Sequence, residues 1–217
     1  MPEPDGGMPR GGSAVMAHRG PDVAGLDDFP TPPWAGRALC EWLLRQGHDL
    51  AQQRCREPAA GRGDLARALG EYFGTVEQID VHDYGAGNLD AVEDYLSQWH
   101  LRWVDWTVTN PPFRLAESFI WIALSTSRRG VAMLVRTQFL EGVGRWERLY
   151  SVHPPSAVLQ FAERVPMLRG RLDRRGSTAT AYCWLVWDFE AQVRAGGTRL
   201  CWLPPCREAL DRAGDWP

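Results

Sequence analysis

Asn110-Pro111-Pro112-Phe113 constrains this 217-residue chain more than any other feature. It ends an apolar-rich run, Trp103 to Thr109, and precedes a helix-like stretch from Leu115 to Ser127. The run reads as a buried strand. Two prolines in succession lack backbone N–H groups and bar a helix from starting at the motif. The strand must therefore stop in a stiff, extended corner whose carbonyls point into open space. With an amide before the prolines and a ring after them, the corner can grip a planar amino group. The side-chain oxygen of Asn110 and the carbonyl of Pro111 accept its two hydrogens, and Phe113 lies on the attached face.

The rest of the chain supplies a scaffold for such a corner. Helical spacing occurs over Ala35 to Arg45, through Leu39, Trp42 and Leu43, and again through Leu65, Leu69 and Tyr72. Val76 to Val81, Val131 to Arg136, Thr178 to Phe189 and Thr198 to Leu203 read as strands. Asp90 to Trp99 reads as a helix or mixed segment, and Gly142 to Pro155 as a loop with one helical turn. Ala157 to Glu163 reads as a short helix, and Arg164 to Leu168 as the start of a strand leading to a basic turn over Gly170 to Ser177. Strands alternating with helices predict a doubly wound α/β sheet. The last two strands come without a full helix between them, so one is expected to run antiparallel at the sheet edge. Residues 1–25, rich in Gly, Pro and small polar side chains, are expected to be disordered. Residues 26–205 form one domain, and 206–217 are a C-terminal tail.

Composition narrows the function classes. Hydrophobic residues make up 44% and charged residues 24%, ordinary values for a soluble domain. No apolar run is long enough for a bilayer, and no basic-then-apolar leader opens the chain, so no membrane partner and a cytoplasmic location are expected. The five cysteines show no Cys-x-x-Cys spacing, which argues for reduced thiols and against a metal site. The five histidines are scattered. Net charge is −3, yet lysine is absent and every basic side chain is arginine. Guanidinium forks suit phosphates and base edges. Arg164, Arg169, Arg171, Arg174 and Arg175 crowd one segment, either as a solvated hairpin or as a track for nucleic-acid phosphates.

A second constellation lies upstream. Glu57-Pro58-Ala59-Ala60-Gly61-Arg62-Gly63 precedes a helix and carries little side chain at Ala59, Gly61 and Gly63, so a ligand can approach the backbone closely. Asp80 falls near the end of the following strand, where a carboxylate can take the two hydroxyl hydrogens of a ribose. Asp83 competes for that role. Asp94 can accept from an adenine amino group, with Tyr95 or Leu96 packed on the ring.

Taken with Asp-Phe-Pro-Thr-Pro-Pro-Trp at residues 28–34, these pieces resemble class I S-adenosylmethionine-dependent methyltransferases of Rossmann-like fold. The chain is most similar to small phage- and prophage-type DNA adenine-N6 methyltransferases. The matching motifs span roughly residues 27 to 113. The resemblance implies a seven-stranded, mostly parallel sheet with an antiparallel strand near one edge. It implies S-adenosylmethionine as cofactor, with Thr31, Pro32 and Trp34 against its methionine or adenine part and Glu57 near its ammonium. It also implies nucleic acid, DNA foremost, as partner. Phe113 stands where tyrosine is commoner in the DNA enzymes. RNA adenine and a protein glutamine amide present the same flat nitrogen and remain alternatives, as does a non-catalytic binding module. A base in a duplex must be flipped out to reach the corner. Phe161, Met167 and Trp184 are candidates for its second face.

Overall fold

A computed structural model describes residues 26–97, 102–191 and 197–216. The segment 1–25, expected to be disordered, lies outside the described residues. In chain order the elements are α1 (Pro33–Gln46), β1 (Arg54–Glu57), α2 (Asp64–Leu69), β2 (Thr75–Asp80), β3 (Ala91–Val92), β4 (Val104–Thr109), α3 (Ala116–Thr126), β5 (Ser127–Arg136), α4 (Val143–Arg145), β6 (Ala157–Phe161), β7 (Tyr182–Asp188), β8 (Arg199–Leu203) and α5 (Arg207–Leu210). Local chemistry sets the ends of α1. Pro33 opens it, where a missing N–H costs nothing, and Gly47 closes it in the left-handed conformation at φ 100°.

The eight strands form one sheet in the order β3-β2-β1-β4-β5-β7-β6-β8. Every pairing is parallel except those of β7, which runs antiparallel to both β5 and β6. The doubly wound, mostly parallel architecture is therefore present, with one strand more than the seven expected. β8 adds beside β6 at the edge. Side chains of β5 show how the two faces are filled, since successive residues point to opposite sides. Ala132 and Leu134 join Trp34, Leu39, Trp106 and Trp184 beneath α1. Val131, Met133 and Val135 join Phe119, Ile120 and Leu185 beneath α3.

Two local expectations are corrected, and the segment read as helix or mixed is mixed. Ala157 to Glu163 is not a helix but contains β6. Ala157 and Leu159 enter one core and Val158 the other, so the run is buried on both faces and carries no period that separates strand from helix. Arg164 to Leu168 starts no strand; a single bridge between Leu168 and Arg171 shapes the basic turn. Asp90 to Ser97 holds the two-residue β3 and a tight turn over Tyr95–Ser97. Trp99 lies outside the described residues. Among the described residues, no helix is long and apolar enough to cross a membrane.

Residues 206–216, read as a tail, pack back on α1. Arg37 is 1% exposed and donates to both carboxylate oxygens of Asp215, at 2.6 and 2.8 Å, and to the Leu210 carbonyl at 2.8 Å. Its remaining donors reach Glu71 at 2.7 and 2.8 Å. Removing one partner leaves a buried guanidinium short of acceptors. Asp215→Ala is expected to lower stability by about 1.5–3 kcal/mol, the range for hydrogen bonds to charged groups. A lower urea midpoint at unchanged slope checks this. An unshifted midpoint would show that the C-terminal segment contributes nothing.

Candidate active site

Parallel strands end on the same side of a sheet. β1 stops at Glu57, β2 at Asp80 and β4 beside Asn110, so the three side chains converge although 53 residues separate the first from the last. A cavity of about 800 Å³ lies there. Thr31, Glu57, Pro58, Ala59, Gly61, Asp80, Asp94, Tyr95, Asn110 and Pro112 all line it.

The turn after β1 is shaped by two left-handed glycines, Gly61 at φ 55° and Gly63 at φ 83°. A Cβ on Gly63 would come within 3.0 Å of the Asn88 amide and 3.1 Å of Gln78 Oε1, so this glycine packs the turn against β2. Gly63 therefore supports the cavity without lining it. A Cβ on Gly61 would meet nothing within 4 Å, so its backbone faces open space.

Glu57 is 1% exposed. Thr109 Oγ1 donates to its Oε1, while Oε2 is buried without a partner. Burial pushes the Glu57 carboxyl well above the usual carboxylate range, and the nearby charge of Asp80 adds to this. Asp80 is raised by burial too, against the pull of backbone N–H groups. Gly61 N–H donates to its Oδ2 at 2.8 Å and His82 N–H to its Oδ1 at 2.9 Å, which aims the carboxylate at the turn. The competitor Asp83 is exposed, accepts from Gly85 N–H at 2.7 Å, and is not among the cavity residues. Asp94 is exposed at the cavity wall and accepts from Leu96 N–H at 2.9 Å. Tyr95 is buried with its ring 5.0 Å from Phe119.

The strap 26–30 crosses the motif. Asn110 Nδ2 donates to the Phe29 carbonyl at 3.0 Å and lies 3.8 Å from Met167 Sδ. A carbonyl opposite an amide side chain can be met by its NH₂ end alone. The strap thus fixes which way Asn110 faces and leaves Oδ1 buried with no partner. Phe113 N–H donates to Asp27 Oδ2 at 2.9 Å. Asp28 pairs with Arg62 at 2.8 Å, and its carbonyl accepts from Gly170 N–H at 2.8 Å.

Other residues singled out in the sequence do not line the cavity. Trp34 is fully buried in the core, edge-on to Phe161, and does not line the cavity. Pro32 is buried at the start of α1 and Pro111 beneath the corner. Phe161 and Trp184 are core residues, the latter donating to the Ala35 carbonyl at 3.1 Å. Neither is available as a second face for a base. Arg164, Arg169, Arg171, Arg174 and Arg175 are all exposed. Arg164 donates to the Ala179 carbonyl, Arg169 to the Leu26 carbonyl, and Arg174 pairs with Asp211 at 3.0 Å. Arg171 lies 3.8 Å from Asp173. The contacts of Arg169 and Gly170 with the strap bring this turn beside the cavity. Arg62, Tyr84 and Arg114 line the cavity but escaped the sequence reading. Arg62 stands inside the glycine turn and Arg114 directly after the motif, and that adjacency was the available signal.

No family model matches the chain, and no curated protein matches it in sequence. Solved structures match in shape. An assigned RNA methyltransferase from Pyrococcus horikoshii superposes with a TM-score of 0.58 at 20% identity, covering 78% of this chain and 91% of that one. The methyltransferase subunit of a type I restriction-modification system from Streptococcus thermophilus gives 0.58 at 10% identity, covering 78% and 46%. A protein of Listeria monocytogenes assigned as a class I S-adenosylmethionine-dependent methyltransferase gives 0.57 at 12% identity, covering 80% and 65%. The chain thus spans about two thirds of the Listeria protein's length and under half of the Streptococcus one. At these identities the likeness establishes the fold: this chain has the Rossmann-like sheet that those methyltransferases have.

Proposed function

We propose that this protein is an S-adenosylmethionine-dependent methyltransferase acting on the exocyclic amino group of adenine in nucleic acid, DNA foremost. One observation carries the reading. Asn110 Oδ1 is a buried acceptor with no partner, held at the wall of a cavity that also contains the unpartnered Glu57 Oε2. These two acceptor oxygens call for donors from outside the protein, and the cavity-lining Tyr95 carries a third buried oxygen without a partner.

The cavity residues fit the cofactor. Glu57 Oε2 takes its ammonium, Asp80 its ribose hydroxyls, and the open face of Gly61 admits it close to the backbone. Asp94 stands near enough to the cavity wall to accept from its adenine. When bound, the cofactor supplies a methyl group already made electrophilic by a sulfonium. The protein must therefore position and orient more than activate. Asn110 Oδ1, the acceptor of the corner that faces the cavity, would take an amino hydrogen of the target and favour a pyramidal nitrogen; Pro111, expected from the sequence to take the second, does not line the cavity. Among the described residues no histidine or cysteine lines the cavity, and the surplus proton of the nitrogen passes to water.

Exposed Arg164, Arg169, Arg171, Arg174 and Arg175 beside the strap, together with Arg114 at the cavity, favour a polyanionic substrate over a peptide. The test is transfer of tritiated methyl from cofactor to DNA, RNA and protein pools, followed by nucleoside analysis. Label in N6-methyldeoxyadenosine is expected. Label confined to glutamine, or cofactor binding with no label anywhere, overturns the proposal.

Asp80→Ala is expected to weaken cofactor binding by at least about tenfold, since a charged acceptor of ribose hydroxyls is lost. Calorimetric titration measures it, and an unchanged dissociation constant would remove Asp80 from the ribose role.

A further inference from the structure

The ring of Phe113, expected from the sequence to lie on the target base, is not among the cavity-lining residues and is already covered. The Arg136 guanidinium carbon lies 3.7 Å from its centroid, a direct stack of a planar cation on an aromatic face. Arg136 is the last residue of β5 and pairs in register with Tyr182, the first of β7. The Tyr182 ring is itself 6.5 Å from that of Phe113. Phe29 flanks Phe113 at 5.1 Å with a 47° tilt. Arg136 was not singled out in the sequence, because nothing local connects it to a residue 23 positions earlier.

The arrangement is incompletely satisfied. Arg136 Nε is buried and has no hydrogen-bond partner. A guanidinium normally finds acceptors for its donors, and a buried N–H left unpaired favours any conformation in which it is met. The Tyr182 hydroxyl meets another part of the guanidinium, but neither it nor the stack gives Nε an acceptor. Arg136 therefore has somewhere better to go once an anion approaches. Phosphate, with its bidentate fit to a guanidinium fork, is the acceptor a nucleic acid would bring.

We infer that Arg136 is a place-holder on Phe113: its flat guanidinium occupies the seat of the target base, the arriving base displaces it, and the freed side chain pairs with a phosphate beside the extruded nucleotide. This rests on the nucleic-acid reading of the site. The exchange conserves stacking on Phe113, because one planar group replaces another. It also gives the buried Nε the partner it lacks. An unfilled seat would otherwise admit water or let Phe113 rotate.

The experiment compares wild type, Arg136→Ala and Arg136→Lys on whichever nucleic-acid pool the wild type labels, over a series of salt concentrations. For Arg136→Ala, KM for nucleic acid is expected to rise about tenfold with a smaller change in kcat. The slope of log affinity against log salt is expected to fall by about one, as for one lost phosphate contact. Arg136→Lys should restore the salt slope, because the charge returns, and recover only part of KM. Cofactor affinity, measured separately, reports whether each variant is folded. If Arg136 merely braces Phe113, kcat falls while the salt slope stays at the wild-type value, and that result overturns the inference. A wild type that binds cofactor but labels neither DNA nor RNA removes the underlying reading and this inference with it. A wild type that labels one of them, beside a variant of unchanged KM and slope, removes the inference alone.

Discussion

Asn110→Ala is expected to lower the methyl-transfer rate by about 10²–10³-fold, the cost typical of removing one preorganised polar group aimed at a reacting centre. Cofactor affinity should stay within about threefold, because the contacts assigned to the cofactor come from Glu57, Asp80 and the glycine turn. The substitution also deletes the bond from Nδ2 to the Phe29 carbonyl, so loss of rate alone would not separate gripping the substrate from holding the strap. Asn110→Asp makes the separation. It keeps a side-chain oxygen toward the cavity but sets a carboxylate against the Phe29 carbonyl, where an N–H stood. The strap is then repelled while an acceptor survives. If the aspartate variant retains most of the rate, the acceptor matters and the strap does not. If both variants fail equally with cofactor affinity intact, the fixed orientation of the amide is what transfer requires. A collapse of cofactor affinity in the alanine variant would place Asn110 in the wrong half of the cavity.

How much of this was legible in the chain itself depends on sequence separation. The corner after β4 and the turn after β1 announce themselves locally, because proline and glycine fix backbone conformation wherever they stand. Asp80 follows from the strand that carries it. The parallel strands then bring these pieces together, as alternating helices and strands require. What could not be read is contact between distant residues with no local mark. The carbonyl that orients Asn110 belongs to Phe29, 81 positions away, and the carboxylate that meets Phe113 N–H belongs to Asp27, 86 positions away. Arg37 and Asp215 are 178 apart. Nothing in either neighbourhood marks those partners. Trp34 misled for a related reason. The family resemblance set it against the cofactor, but its size equally suits it to the core beneath α1, where it lies. β6 misled because burial on both faces erases the alternation by which strands are recognised.

Glu57 gives the second large effect. Burial holds its pKa well above the usual carboxylate range in the folded protein, with Asp80 adding to the rise and the Thr109 hydroxyl opposing it. The folded protein therefore binds a proton at Glu57 over a range where the unfolded chain has lost it. In that window, between the ordinary carboxylate pKa and the raised one, stability of the cofactor-free protein falls as pH rises. An ammonium placed at Oε2 favours the charged carboxylate and pulls the pKa back down. Binding then expels the proton. Affinity for S-adenosylmethionine is expected to climb with pH through the window, by up to about tenfold per unit, and to level off above it. Measurements should stay below the range of about 7.7–8.0 in which an α-amino group titrates, so that the ligand keeps its charge. Glu57→Gln carries no proton to lose. Its affinity should vary less with pH across the same range, with Asp80 the cofactor contact left to titrate there, and be about 10²-fold weaker above the window, since a hydrogen-bonded charge pair in a buried site is lost. Calorimetry in two buffers of different ionisation enthalpy reads the released proton directly, larger in wild type than in the variant. Equal proton release in both proteins would mean that the ammonium sits elsewhere, and Glu57 would then be a buried acid held by Thr109 and the Ala59 backbone.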